Sequence, residues 1–133
     1  IAINLKGTFL MCQTAGRHML AAGSGAIINM ASQAATVAID EHVAYCASKF
    51  GVVGFTRALA AELQGTVGVT MLVPGGMHTA FFDDRDEKYK PPADAKLNDP
   101  ANVAEAVLFA LRQPPGCEVR ELVITPSVES SWP

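Results

Sequence analysis

The sequence predicts an α/β fold, in which a partial, doubly wound parallel sheet of about three strands carries helices on both faces. Segments with a helical spacing of apolar residues alternate with short apolar segments, in the order helix, strand, helix, strand, helix, strand. The strand segments are continuous apolar runs, which are typical of strands buried on both faces. We therefore expect right-handed crossovers between the strands and ligands at the strands' carboxyl ends.

The predicted elements have recognisable ends. The first helix stops at the glycine turn of residues 23–25, and the second strand stops at Pro74. Asp99 is a good N-cap residue, and Pro100 suits the first position of the third helix. The charged stretch 81–98 is predicted to be a mobile surface segment with a little helix. The six elements are predicted at about residues 1–22, 26–31, 44–63, 67–73, 100–113 and 119–126.

The second helix is expected to pack closely against the rest of the fold. Gly51 and Gly54 lower its intrinsic helicity by roughly 1 kcal/mol each relative to alanine. We attribute them to close contact with another helix or with the sheet. The residues expected on the packed side are apolar: Phe50, Val53, Leu59 and Leu63.

Composition limits the possible functions. A chain of 133 residues fits one domain with a real core, and its 50% hydrophobic and 17% charged residues argue against disorder. A net charge of −3 provides no basic surface, so no nucleic-acid partner is expected. No apolar run approaches the roughly 20 residues of a membrane-spanning helix, and no charged leader precedes an apolar stretch. We expect neither a membrane segment nor an export signal.

The sulfur and imidazole side chains show no pattern of their own. The three cysteines form no CxxC pair, and we expect them to be reduced thiols of a cytoplasmic protein. The three histidines lack the spacing of metal ligands, so no metal site is expected.

The stretch SQAATVAIDEHVAYCASK, residues 32–49, holds the strongest chemical signal. Ser32 follows the first predicted strand, and Tyr45 and Lys49 are four residues apart on one face of the second helix. A phenol has a pKa near 10, and a nearby lysine cation favours the phenolate and lowers that pKa. A serine hydroxyl beside it can hold a carbonyl or alcohol oxygen. This set can exchange a proton with a substrate oxygen while another group moves a hydride.

These residues resemble the short-chain dehydrogenase/reductase family. YCASK fits the family's Tyr-x-x-x-Lys signature, and GAIINMASQAA resembles its strand that ends in the catalytic serine. INLKGTF resembles its helix with a catalytic asparagine, here Asn4, and VPGGMHT resembles its Pro-Gly segment, with Thr79 at the end. DPANVAEAVLFAL and ELVITP are similar to its last helix and strand. The resemblance covers nearly the whole chain and implies a Rossmann-like fold.

The resemblance implies a role for each matched residue. Tyr45 is the general acid/base, Lys49 lowers its pKa and bonds the nicotinamide ribose, and Ser32 orients the substrate oxygen. Asn4 holds a water in a proton relay toward Lys49. The implied cofactor is NAD or NADP, the implied substrate an alcohol or carbonyl compound, and the implied assembly a homodimer or homotetramer. Besides Tyr45 and Lys49, the residues implied to line the cofactor are Pro74, Gly75, Met77 and Thr79.

The sequence departs from the family's pattern in one respect. No GxxxGxG turn for the pyrophosphate is present, nor is the strand-helix unit that selects NAD or NADP. Residues 1–133 therefore resemble the C-terminal catalytic portion of one NAD(P)-binding domain, without its Gly-rich half. We expect this part alone to bind dinucleotide poorly, to be inactive, and to be unstable because of an unprotected sheet edge. Substrate contacts are expected in residues 33–42 and 80–97.

Two other functions compete with an oxidoreductase. The first is a dinucleotide sensor of the same fold without turnover, against which the complete acid/base set argues. The second is a serine hydrolase, but the sequence has no GxSxG elbow and no histidine placed to activate Ser32.

Overall fold

A computed structural model describes residues 1–130 and confirms the predicted order of elements. The helices are α1 (Thr8–Ala22), α2 (Val43–Glu62) and α3 (Pro100–Leu111), and the strands are β1 (Gly25–Met30), β2 (Val67–Pro74) and β3 (Glu121–Ile124). A π-helical segment, Ala2–Gly7, precedes α1. Single 3₁₀ turns lie at Gln33–Ala35, Ala80–Phe82 and Glu87–Tyr89.

The three strands form one parallel sheet in the order β1-β2-β3, as the apolar runs predicted. The central strand β2 is buried along almost its whole length, which explains why its sequence does not alternate. Its partner β3 is shorter than predicted because it pairs only from Glu121, opposite Met71, to Ile124, opposite Pro74. The outer edge of β1 has no partner strand within residues 1–130.

Helices cover both faces of the sheet. On one face, Val67 and Val69 of β2 form a core cluster with Ala60 and Leu63 from the end of α2, while Val73 packs with Val52. Successive strand residues point to opposite faces. On the other face, a groove runs between the sheet and α3, and its lining includes Ile28, Gly68, Thr70, Ala110 and Leu111.

This arrangement corrects the prediction of right-handed crossovers throughout. Both crossovers step in the same direction, from β1 to β2 and from β2 to β3. Because α2 and α3 lie on opposite faces, the two crossovers have opposite hands, and one of them departs from the usual rule. The long segment of residues 75–99 precedes α3 and gives the chain enough length to reach the second face.

The packed side of α2 matches the prediction in part, because Leu63 is buried and Val53 and Leu59 pack against the core clusters. Phe50 is 49% exposed, whereas small and polar residues take the buried positions at intervals of four: Ser48, Val52, Thr56 and Ala60. The expectation of close contact holds at Gly51, where a Cβ atom would lie 2.8 Å from Leu5 Cδ2. At Gly54 the expected contact is not made within residues 1–130, since no atom of this part of the chain would lie within 4 Å of a Cβ atom. The backbone of α2 can approach its neighbours because its inner side chains are short.

A buried polar side chain of β1 is hydrogen-bonded to both α1 and α2. The Asn29 side chain donates to Thr56 Oγ1 at 3.0 Å and accepts from Cys12 Sγ at 3.2 Å. Burial raises the pKa of the Cys12 thiol, so the neutral thiol is the donor. Since each of these side chains has a hydrogen-bond partner, burying them costs little free energy of folding. The hydrogen bonds fix β1 relative to α1 and α2.

Candidate active site

A cavity of about 640 Å³ opens at the carboxyl ends of β1 and β2, where ligands of parallel sheets are expected. Ser32, Tyr45 and Lys49 all line it. Pro74, Gly75, Met77 and Thr79 line it as well. The structure therefore brings together seven of the eight residues predicted from the sequence, and only Asn4 is not in this wall.

Ser32 lies just past the end of β1, with an extended backbone at φ −173° and ψ 159°. Its Oγ atom accepts a hydrogen bond from the Ala34 backbone amide at 3.2 Å and so caps the following 3₁₀ turn. A hydroxyl that accepts in this way keeps its own hydrogen available. Ser32 can therefore donate to an oxygen atom placed in the cavity.

Tyr45 and Lys49 extend from the first turns of α2, one turn apart on the same side. The Lys49 ammonium nitrogen lies 5.8 Å from the centre of the Tyr45 ring and donates to the Met30 carbonyl oxygen at 3.1 Å. Burial lowers the pKa of Lys49, because a desolvated ammonium is less stable than a hydrated one. A cation is thus held beside the phenol by the end of β1.

Asn4 lies behind the cavity, in the π-helical segment. Its side-chain amide donates to Ser48 Oγ at 3.3 Å, and the Ser48 hydroxyl donates to the Tyr45 carbonyl oxygen at 2.7 Å. The Thr8 hydroxyl donates to the Asn4 carbonyl oxygen at 2.7 Å. Single π-helical turns often occur at functional sites. Asn4 contacts the residue next to Lys49 rather than Lys49 itself, and its part in a proton relay stays a prediction.

The segment after β2 forms the opposite wall of the cavity. At Gly75, a Cβ atom would lie 2.9 Å from Pro126 Cδ and 3.1 Å from Thr125 Cα, so only glycine lets the ends of β2 and β3 approach this closely. Met77 pairs with Asn98 in an isolated bridge, and Thr79 Oγ1 accepts from the Phe81 amide at 3.3 Å. With Lys49, this wall offers a cation, a hydroxyl and apolar surface, which suit the ribose and flat ring of a nicotinamide nucleotide.

The charged stretch 81–98, predicted to be a surface segment with a little helix, forms two short 3₁₀ turns and packs over the cavity. Phe81 lies 6.0 Å from Tyr45 between ring centres, and Arg85 stacks on Phe81 at 4.2 Å. The aromatic residues within this charged run were the signal for such packing. Residues 80–91 and 39–42 both contribute to the lining, in the two segments where substrate contacts are expected.

Two contacts fasten this cover to the loop before α2. Lys88 Nζ lies 3.2 Å from Glu41 Oε2, and the rings of His42 and Tyr89 meet edge to face at 5.5 Å. Hydrogen bonds from Tyr89 and Lys88 lower the pKa of Glu41, so its carboxylate stays ionised. Glu41 adopts a left-handed backbone conformation, with φ 57°, which is uncommon for a residue with a side chain. We call the Glu41–Lys88 and His42–Tyr89 contacts the loop clasp.

Residues 1–130 hold neither a cluster of metal-ligating side chains nor a membrane-spanning helix. No group of three or more His, Cys, Asp or Glu side chains in this part of the chain is placed to hold a metal ion. No helix within the same residues is long and apolar enough to cross a membrane.

Comparison with known proteins gives consistent matches. A family model described as short chain dehydrogenase matches residues 1–90. The chain is 50% identical over 116 residues to D-threitol dehydrogenase of Mycolicibacterium smegmatis, a match that covers 82% of this chain and 45% of the relative. It is 60% identical over 60 residues to the NAD-dependent glycerol dehydrogenase of Listeria innocua, which covers 45% of this chain and 24% of the relative.

Among solved structures, a closed form of serine dehydrogenase complexed with NADP+ superimposes with a TM-score of 0.88 at 30% identity. The superposition covers 96% of this chain and 54% of that one. The chain thus spans about half the length, or less, of the relatives that it matches.

Proposed function

The chain belongs to the short-chain dehydrogenase family, and we propose that it is the catalytic part of an oxidoreductase that transfers a hydride between NAD(P)(H) and an alcohol or carbonyl substrate. The observation that carries the proposal is the shared cavity wall of Ser32, Tyr45 and Lys49 at the carboxyl ends of the strands. A cation beside a phenol and a free hydroxyl are what proton exchange with a substrate oxygen requires.

In the proposed mechanism, different groups transfer the proton and the hydride. In the oxidation of an alcohol, the Ser32 hydroxyl donates to the substrate oxygen, and Tyr45, as phenolate, takes the hydroxyl proton. A bound nicotinamide, held by Lys49 and the wall of Pro74, Gly75, Met77 and Thr79, would supply the acceptor for the hydride that leaves the carbon. The positive charge of Lys49 favours the phenolate. The Lys49 ammonium is held in place by its hydrogen bond to the Met30 carbonyl oxygen, at 3.1 Å. In the reverse direction Tyr45 returns the proton to the carbonyl oxygen.

The cofactor requires a second part of the domain. We propose that residues 1–133 form the C-terminal portion of a single NAD(P)-binding domain, preceded by a Gly-rich half that binds the pyrophosphate and selects NAD or NADP. We call the two together the complete domain. The outer edge of β1 supports this proposal, because it has no partner strand among the described residues 1–130 and an unpaired edge strand invites pairing. Alone, these residues are expected to be inactive and to aggregate, and a monomeric, cooperative thermal transition would contradict that expectation.

The substrate class is proposed to be a small polyol. The names of two relatives, a D-threitol dehydrogenase and a glycerol dehydrogenase, denote polyols. The cavity fits such a substrate, since hydroxyl, amide and charged side chains interrupt its mainly apolar lining.

The test is the substitution Tyr45→Phe in the complete domain, assayed by the absorbance of the reduced nicotinamide. Loss of a general acid/base costs about 10²- to 10⁴-fold, so kcat should fall by that factor while dinucleotide binding persists. Tyr89→Phe is the matched comparison, since it removes the hydroxyl of another tyrosine lining the cavity, and a much smaller change is expected. Near-full activity of the Tyr45 variant would refute the proposed role. Dinucleotide binding without turnover by the unaltered domain would favour a sensor.

We further propose that the complete protein is a cytoplasmic homodimer or homotetramer. The outer side of α1 and α2 carries large apolar side chains: Phe9 and Phe50 are about half exposed, and Phe9 packs on Phe55 at 5.6 Å. Exposed apolar surface of this kind favours self-association. A monomeric mass in solution, measured by light scattering, would contradict the proposal.

A further inference from the structure

The side chain of Gln33, in the wall of the cavity, has a buried oxygen, Oε1, that makes no hydrogen bond within residues 1–130. Buried amide oxygens are almost always hydrogen-bonded, because an unmade bond costs free energy. An exception beside a candidate catalytic serine therefore calls for a ligand that supplies the missing partner.

The backbone of Gln33 holds this side chain in place. Its carbonyl oxygen accepts from the Thr36 hydroxyl at 2.7 Å and from the Thr36 amide at 2.9 Å. Gln33 also begins the 3₁₀ turn that Ser32 caps, so its position relative to Ser32 is fixed by a single turn. The backbone oxygen has its partners, and the side-chain oxygen is the acceptor left over.

The side-chain amide of Gln33 lies against a residue that has no side chain of its own. Gly75 lies beside it, and a Cβ atom there would come within 3.1 Å of Gln33 Oε1. The last torsion of a glutamine side chain has a broad energy profile, so the amide can turn to present its oxygen or its nitrogen. A hydroxyl group, which both donates and accepts, matches either orientation.

We propose that Gln33 is a specificity-determining residue that binds a second hydroxyl group of the substrate, on the carbon next to the one oxidised. The inference rests on the proposed function, in which Ser32 and Tyr45 hold the reacting oxygen. Gln33 directly follows Ser32 along the chain and lines the same cavity, so its amide can reach the neighbouring carbon. The ligand class is a vicinal diol or, in the reverse direction, an α-hydroxy carbonyl compound. A binding site that hydrogen-bonds a substrate hydroxyl group discriminates against analogues that lack this hydroxyl.

The test compares a diol with its matched mono-alcohol in the complete domain. The substrates are 2,3-butanediol and 2-butanol, which differ by one hydroxyl group, and the readout is the ratio of their kcat/KM values. Gln33→Met keeps the length of the side chain and removes its hydrogen-bonding groups. It should lower kcat/KM for the diol by about 10- to 100-fold and for 2-butanol by less than about 3-fold. Gln64→Met, at an exposed turn after α2, is the control and should leave both values unchanged.

A thermal melt separates substrate recognition from a structural role. Because Gln33→Met removes a buried oxygen without a partner, the variant should be at least as stable as the unaltered protein. A lower thermal midpoint of Gln33→Met, together with an equal loss of kcat/KM for both substrates, would overturn the inference. An unchanged ratio of the two kcat/KM values would overturn it as well. Either result would leave the proposed function intact. A folded complete domain that binds dinucleotide but oxidises neither alcohol would instead refute the polyol class proposed for the substrate, and this inference with it. Gln33→Leu provides a second apolar variant, with the same ratio expected.

Discussion

The substitution Gly75→Ala tests how tightly the cavity wall is built. Gly75 lies between the ends of β2 and β3, with a backbone amide that donates to Ile124 O at 2.8 Å. A methyl group would meet Pro126 Cδ at 2.9 Å and the backbone atom Thr125 Cα at 3.1 Å. Neither neighbour is the end of a flexible side chain, so the two strand ends must separate by several tenths of an ångström. Overpacking of this kind costs about 1–3 kcal/mol of the free energy of unfolding.

Gly54→Ala is the matched control. It lies within α2, where a Cβ atom would meet nothing within 4 Å. The exchange of glycine for alanine inside an exposed helix should stabilise the protein by about 0.5–1 kcal/mol. The two variants add the same methyl group, and the free energy of unfolding should be higher for Gly54→Ala than for Gly75→Ala by roughly 1.5–4 kcal/mol. The expected gain applies to the single chain, and a destabilising effect of Gly54→Ala would support the proposed self-association through the outer side of α2.

The assay is urea denaturation of the complete domain, followed by steady-state kinetics in native buffer. Gly75→Ala should also raise the KM for the dinucleotide, because the displaced segment lines the side of the cavity assigned to the nicotinamide. Equal stability of the two alanine variants would refute the close approach of β2 and β3. Full stability loss with unchanged KM would refute the assignment of this wall to the cofactor.

Two further predictions concern charged groups of the site. Burial lowers the pKa of Lys49. Below this lowered pKa, Lys49 is charged in both the folded and the unfolded state, and burying the charge lowers the free energy of unfolding. This loss of stability disappears as the pH rises toward the pKa of the unfolded state, about 10.4. Lys49→Met should therefore raise the melting temperature most near neutral pH and progressively less up to about pH 10; a constant difference would contradict the desolvation argument. In the loop clasp, Glu41→Gln removes the ion pair with Lys88 and should raise the KM for substrate about two- to five-fold with little change in kcat. Lys88→Met should do the same without adding to the effect of Glu41→Gln, and additive losses would exclude a direct pair.

The sequence predicted those parts of the fold that depend on local pattern. The alternation of helical and apolar segments was enough for the order of elements, and the N-cap Asp99 accepts from the Ala101 amide at 2.8 Å as its residue type predicts. The hand of the second crossover was not predictable in this way. It depends on which face α3 packs against, and this is a tertiary choice made after a long irregular segment.

The packed side of α2 shows a second limit. Hydrophobicity selected Phe50, yet the buried positions went to residues such as Ser48 and Thr56, whose hydroxyls have partners within the fold. A buried serine or threonine is inexpensive when it is hydrogen-bonded, and its small volume lets backbones approach. Neither fact is visible in a hydrophobicity pattern, because both depend on partners that are far away in sequence.

The candidate site divides in the same way. Ser32, Tyr45 and Lys49 could be placed in advance because a strand end and one helix turn fix their relative positions, and short-range geometry follows from sequence. Gln33 could not be distinguished from its neighbours in the same loop, since its signal is an absent hydrogen bond. Such a signal exists only once the partners of every surrounding group are known. The proposed proton chemistry is thus encoded locally. The proposed choice of substrate depends on contacts between the segment after β1, the wall after β2 and the cover fastened by the loop clasp. Substitutions that alter specificity should therefore lie in these three segments, outside the Tyr45–Lys49 turn.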